Sequence, residues 1–235
     1  CFRYSWIIME NHSVRRLKKI AKINNGNKYL EIGVERGITF LDFDIEYKDG
    51  VDPNFLFDIK LHQSQKHRFF NVESNEFWLS DKPLIYDIFF IDGLHTFEQT
   101  LRDIICSLKY AHNQSIWLID DTVPSDIFSA IKDQKQSYYV RSSHKMPGKP
   151  WHGDVFKIIP AIREYFPTLD FVTIIDQGNP QTIAWFSQNK NFQPLNYNLE
   201  AVSRFEFLDI EKNQSIFNFK KEDDAFSYLQ KNFKV

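Results

Sequence analysis

From residue 29 to about 166 the chain alternates short apolar runs with stretches of helical periodicity, an order that few architectures accommodate. Strand-like runs fall at 29–34, roughly 48–52, 67–72, 86–91 ("YDIFFI") and 115–120 ("SIWLID"). Strands separated by helices pair in parallel, because each crossover brings the chain back in the same direction; the expectation is an α/β sheet covered by helices. Between the last two runs, "TFEQTLRDIICSLKYA" repeats apolar residues at Phe97, Leu101, Ile104, Ile105 and Leu108, one face of a helix. Thr96 and Gln99 stand three apart at its start, the spacing of a capping box, which leaves His95 just outside on the turn. Another amphipathic stretch, "VFKIIPAIREYF", precedes two strands, "DFVTIID" and "QTIAWFS", joined only by Gln-Gly-Asn-Pro. So short a link cannot make a crossover, and the pair is expected as an antiparallel hairpin at the sheet edge.

A chain of 235 residues fits one generous domain. The pattern divides it into an N-terminal helical extension (1–26), the sheet-bearing domain (27–189) and a C-terminal tail packed on or beside it (190–235). A net charge of −2 and a pI near 6.4 supply no broad attraction for a phosphate backbone or an anionic membrane, so nucleic acid is disfavoured as a partner. The basic run "RRLKK" (Arg15 to Lys19) reads as the solvated face of the first helix. Cys1 and Cys106 are too far apart and too few for a disulfide framework or a zinc site, which makes a reducing, cytoplasmic setting the default. No apolar stretch approaches the ~20 residues of a membrane span, and "CFRYSWII" is too short for a signal peptide; the expectation is a start at Met9, with the first eight residues an extension or a fragment edge. Nothing in the sequence compels a homo-oligomer or excludes one.

In an open α/β sheet, ligands bind beyond the carboxyl ends of the strands, where the strand order reverses. The chemically able residues concentrate there: Glu31 and Gly33 after the first strand, Asp52 after the second, Asp92 and His95 after the fourth, Asp120 and Asp121 after the fifth. In "YLEIGVERGITF", Gly33 and Gly37 leave room for a ligand beside the backbone, although a plain strand-to-helix turn explains them equally well. Their spacing, G-x-x-x-G, is not the G-x-G-x-x-G of nicotinamide binding.

"YLEIGVERGITF" resembles the first motif of class I S-adenosylmethionine-dependent methyltransferases. The succession "FFIDGLHTFEQTLRDI", "WLIDDTVPSD", "WHGDVFKIIPAIREYFP" is similar in order and spacing to a bacterial small-molecule O-methyltransferase subfamily, the methyltransferase domain 24 type, associated with sugars, secondary metabolites and surface polysaccharides. The resemblance spans about residues 27–187 and implies a Rossmann-like, seven-stranded sheet closed by an antiparallel hairpin. It implies that Glu31 meets the methionyl ammonium of S-adenosylmethionine, that Gly33 and Gly37 line its carboxylate end, and that Asp52 accepts from the ribose hydroxyls. It places Ser74 and Asn75 near the adenine, with Asn75 standing where relatives carry Asp. Methyl transfer needs alignment and removal of the acceptor's proton, and His95 is the expected base, with Asp92 beside it. Related sugar enzymes hold Mg2+ on residues matching Asp92, Asp120 and Asp121, but Leu94 stands where they carry a further Asp, so metal use stays open; Asp121 could equally cap a turn. The segment 141–156 ("RSSHKMPGKPWHGDVF") reads as an acceptor-side loop in which Arg141, His144, Lys145, Lys149 and His152 could meet a phosphate or uronate and Trp151 a sugar face. Asp154 is expected to cap the following helix.

The expected function is therefore O-methylation of a small-molecule hydroxyl, a sugar or glycan precursor. Two other readings stand beside it: a catalytically idle cofactor-fold module in a glycan-assembly complex, and a nicotinamide-dependent oxidoreductase.

Overall fold

The computed structural model describes residues 11–187 and 192–233; Cys1, the first eight residues and Met9 lie outside that range. Eight strands run in chain order: β1 (Lys28–Ile32), β2 (Tyr47–Val51), β3 (His67–Phe70), β4 (Ile88–Ile91), β5 (Ile116–Ile119), β6 (Leu169–Ile174), β7 (Gln181–Phe186) and β8 (Phe219–Lys220). The helices are α1 (His12–Asn24), α2 (Ile38–Asp42), α3 (Ser74–Leu79), α4 (Phe97–Leu108), α5 (Gln134–Ser143), α6 (Ile158–Tyr165), α7 (Leu199–Ser203), α8 (Phe207–Lys212) and α9 (Glu222–Asn232). The sheet order is β3-β2-β1-β4-β5-β7-β6-β8, with β7 antiparallel to both neighbours and every other pairing parallel. The expected α/β sheet with its β6–β7 hairpin is thus present. The hairpin does not end the sheet, because the two-residue β8 pairs with β6 outside it. Among the described residues no helix is long and apolar enough to cross a membrane.

Strand side chains alternate between two faces, and the core divides accordingly. Leu30, Ile32, Phe89, Ile91, Trp117 and Ile119 pack with residues of α3, α4 and α6 on one face. Tyr29, Ile88, Phe90, Ile116 and Leu118 pack with α1, α2 and α9 on the other. Both layers are needed because strands buried on two sides carry apolar residues at every position, as "IFFI" and "IWLI" do.

Three local expectations are corrected. The "RRLKK" face is not a solvated surface: Arg16 is fully buried, and Arg15, Arg16 and Lys19 all reach Glu222 of α9. Thr96 makes no side-chain cap on α4, and Gln99 turns instead to Ser74, Asn75 and Asp103. The first N–H of α4, on Phe97, donates to Asp154 Oδ1 at 2.7 Å, so Asp154 serves this distant helix rather than the one that follows it. An orphan N–H at a helix start donates to any well-placed carboxylate, whatever its distance in sequence.

Candidate active site

The strand order reverses between β1 and β4, and a cavity of about 820 Å³ opens beyond their carboxyl ends. Glu31, Gly33, Asp52, Ser74, Asn75, Asp92, His95 and Asp120 line it. The sheet thereby brings together residues from four strand ends and α3.

On the β1–β2 side, Glu31 is buried and accepts from Tyr29 Oη at 2.5 Å. Burial pushes its carboxyl well above the ordinary range, against the pull of the Tyr29 hydrogen bond, and the nearby Asp92 charge adds to the rise. Asp52 accepts from Glu35 N–H at 2.8 Å and Asn54 N–H at 2.7 Å, one on each oxygen, which fixes the carboxylate and leaves each oxygen a free lone pair. Gly33 has φ 90°, and a Cβ there would lie 1.9 Å from the Asp92 carbonyl oxygen. Only glycine lets the ends of β1 and β4 approach this closely. Gly37, also at positive φ, begins α2, and a Cβ there would press on Phe57 and Leu41; it is not among the cavity-lining residues. Asn75 and Ser74 are tied to Gln99, which sets their orientation on the cavity wall.

On the β4–β5 side, His95 sits between carboxylates. Its Nδ1 lies 2.8 Å from Asp121 Oδ2 and 3.1 Å from the Trp151 carbonyl oxygen, so this nitrogen carries a proton; its Nε2 faces Asp92 Oδ1 at 3.5 Å. Burial disfavours the imidazolium, but the hydrogen bonds to Asp121 and Asp92 outweigh it and raise the His95 pKa to about 11. Burial raises Asp92 to about 6 and Asp120 well above its usual range. Asp121 goes the other way, burial being overcome by His95. One donor atom each from Asp92, His95 and Asp121 lie within 4.8 Å of one another, a set that fits a divalent cation. Asp120, expected in that set, instead accepts from Asn179 at 2.6 Å and from Asp121 N–H at 2.8 Å.

Four further residues neighbour the site: the sequence singles out neither Asn179, Tyr29 nor His12, and it offers His152 only as an acceptor-side residue. Asn179 Nδ2, from the β6–β7 turn, reaches both Asp120 Oδ1 and Asp121 Oδ1 at 2.6 Å. His152 is buried with Nε2 3.4 Å from Asp121, its Nδ1 accepting from Ser125 N–H. The third is Tyr29, and the fourth is His12, a cavity-lining residue whose buried Nε2 has no hydrogen-bond partner. Burial, with Arg16 and Arg15 nearby, lowers the His12 pKa to about 4, so its ring is neutral. Asn179 and His12 carry no local signal, because the groups they meet lie far along the chain, whereas Tyr29 stands two residues from Glu31 on the same face of β1.

The 141–156 loop closes this side differently from expectation. Trp151 stacks on His95 with ring centroids 5.2 Å apart, and a Cβ at Gly153 would collide with the His95 carbonyl oxygen. Arg141, at the end of α5, is buried on Asp126 and Lys149 also pairs with it, so both cations are spent on a carboxylate outside the cavity. The nearby wall consists of Leu94, Tyr138, Pro150 and Trp151.

No protein-family model and no curated protein matches the chain. Solved structures do. A Staphylococcus aureus protein provisionally named a caffeoyl-CoA O-methyltransferase aligns at 14% identity and TM-score 0.53, over 76% of this chain and 85% of its own. An O-methyltransferase from Bacillus cereus in complex with S-adenosylhomocysteine aligns at 11% and 0.52, over 76% and 83%. The S-adenosylhomocysteine-bound methyltransferase PaMTH1 of Podospora anserina aligns at 11% and 0.51, over 74% and 78%. At such identity the likeness is one of fold: the chain has the Rossmann-like architecture of class I methyltransferases.

Proposed function

We propose that the chain is an S-adenosylmethionine-dependent O-methyltransferase acting on a hydroxyl of a small molecule, a neutral sugar or glycan precursor. The observation that carries this reading is one cavity with a nucleoside-suited wall and a proton-handling wall on opposite sides of the β1/β4 switch point. Asp52, with a free lone pair on each oxygen, suits two vicinal ribose hydroxyls. Burial pushes the Glu31 carboxyl upward, and an ammonium arriving beside it would favour the ionised form and so become its partner. Ser74 and Asn75 lie where an adenine would rest. Gly37 acts by shaping the turn into α2.

In the reaction the acceptor oxygen attacks the methyl carbon, the carbon–sulfur bond breaks, and sulfur leaves as the neutral thioether while the hydroxyl proton passes to a base. His95 faces the cavity at the required strand end, aimed by Asp121 and stacked on Trp151. Paired to two carboxylates it keeps its proton, so it accepts another group's proton only after Asp92 and Asp121 are engaged elsewhere. A divalent ion on Asp92 and Asp121, Mg2+ included, would lower the acceptor hydroxyl's pKa. Arg141 and Lys149 are committed to Asp126, and Leu94, Tyr138 and Trp151 are among the lining residues, which favours an uncharged hydroxylated ring over a phosphorylated one on the His95 side; Arg36 also lines the cavity.

The pairing of His95 with two carboxylates is the observation favouring the second reading, a module that binds cofactor without turnover. The antiparallel β7 argues against a nicotinamide enzyme. Calorimetric titration with S-adenosylhomocysteine tests the proposal: affinity on the order of micromolar, weakened by roughly 30-fold or more in Asp52→Ala, is expected. An absence of binding in the folded wild type sinks it. Binding followed by an acceptor screen, started with neutral sugars and repeated with and without Mg2+, separates turnover from mere binding.

A further inference from the structure

The turn between β6 and β7 is gripped from two sides. Arg16 of α1, fully buried, donates from Nη2 to Asp176 O (2.7 Å) and from Nη1 to Asn179 O (2.6 Å) and Gln181 Oε1 (2.7 Å), while its Nε meets Glu222 Oε2 of α9 (3.0 Å). Arg15 adds a bond to Gln177 O, and Glu222 N–H donates to Asp176 Oδ1. Gly178 has φ 136°, and a Cβ there would lie 2.4 Å from the His12 ring, so the turn is pressed against the first residue of α1.

On its inner side the same turn presents Asn179. Two adjacent carboxylates repel, and an amide nitrogen offers two protons in one plane, one for each. Asp121, whose charge His95 favours, only accepts, so the nitrogen rather than the oxygen of Asn179 faces it. Asp121 Oδ1 is occupied by Asn179, and Asp121 Oδ2 lies on His95 Nδ1.

From this the geometry points to Asn179 as a positioning residue of the proposed methyl-transfer site, aimed by Arg16 and acting on His95 through Asp121. The inference rests on the preceding reading of the cavity. It makes α1 and α9 working parts of the site, through a chain running from Glu222 to Arg16, Asn179, Asp121 and His95.

Long-range 1H–15N spectra of the imidazoles test it, with the His95 signals assigned by His95→Gln and S-adenosylhomocysteine titrated into each variant. In Asn179→Ala the His95 nitrogen resonances are expected to move, because Asp121 Oδ1 loses the donor that fixes the carboxylate held against His95 Nδ1. Asn179→Ser, which retains one donor and disturbs packing less, should give an intermediate shift. Arg16→Lys keeps a cation beside Glu222 but lacks the fork that spans three turn acceptors, and should shift His95 in the same direction. His95 resonances in both Asn179 variants that superimpose on the wild type overturn the positioning role, whatever happens to Tm. A shift in those variants with none in Arg16→Lys overturns the part assigned to Arg16. Failure of the wild type to bind S-adenosylhomocysteine would remove the methyltransferase reading and leave the His95 comparison standing on its own.

Discussion

Two ionic clusters in this molecule are near mirror images. Glu222 is one buried carboxylate met by Arg15, Arg16 and Lys19; His95 is one imidazole met by Asp92 and Asp121, with Asp120 close behind. In the first, burial opposes the charge but three cations overcome it and lower the Glu222 pKa to about 2. In the second, the single cation cannot serve every acid, and burial pushes Asp92 up to about 6 and Asp120 well above its norm. Such unbalanced burial of like charges costs stability and survives where a ligand or a reaction uses it. The comparison separates a cluster that holds the fold from one that is held by it.

The largest expected effect breaks that contrast at its structural end. Glu222→Gln strands Arg16 in the interior, and denaturant unfolding should show a loss of about 3–5 kcal/mol, the usual cost of removing one partner of a buried pair. A loss near zero would mean that the clamp is ornamental. The pH dependence comes next, and the two clusters should fail at opposite ends. Glu222, depressed in the fold, contributes fully above its unfolded pKa near ~4.3 and loses its contribution as pH falls through about 2. His95, raised in the fold, contributes fully below its unfolded pKa near ~6.5 and loses its contribution as pH rises through about 11. Thermal unfolding across pH should therefore lose part of its acid limb in Glu222→Gln and part of its alkaline limb in His95→Gln; a swap of limbs contradicts the assignment. The smallest effect sharpens the comparison: Asp120→Asn keeps both acceptor roles of Oδ1 while removing a crowded charge, and should leave stability unchanged or raise it by up to about 1 kcal/mol. A clear loss in calorimetry would show Asp120 to be as well compensated as Glu222.

What was legible in the sequence was what the backbone period writes locally. Runs such as "IFFI" and "IWLI" disclosed strands, and the strand ends then placed Asp52, Asp92 and His95 on one cavity before any contact was known. The β6–β7 hairpin followed from a link too short to cross over. Phe219 and Lys220 are too few to show a period, so β8 was invisible. The basic stripe of α1 reads as solvated because its partner, Glu222, lies more than 200 residues away. Asn179 looked like an ordinary turn residue, and Asp154 like a local cap, for the same reason: their partners lie 57 to 59 residues off in the chain. Gly33 was legible as a special position but not its cause, which is the approach of β4.

The Arg16 and Glu222 pair also has a history in time. It closes a loop 206 residues long, and contacts of such separation form late, after loop-closure entropy has been overcome by nearer pairings. A chain emerging from the ribosome can thus complete β1 to β7 and display every cavity-lining residue while α9 is still being made. Until α9 docks, the β6–β7 turn lacks one side of its grip, and the acids above β5 have a looser neighbour. The pocket is then finished only once α9 has been made and has docked on Arg16.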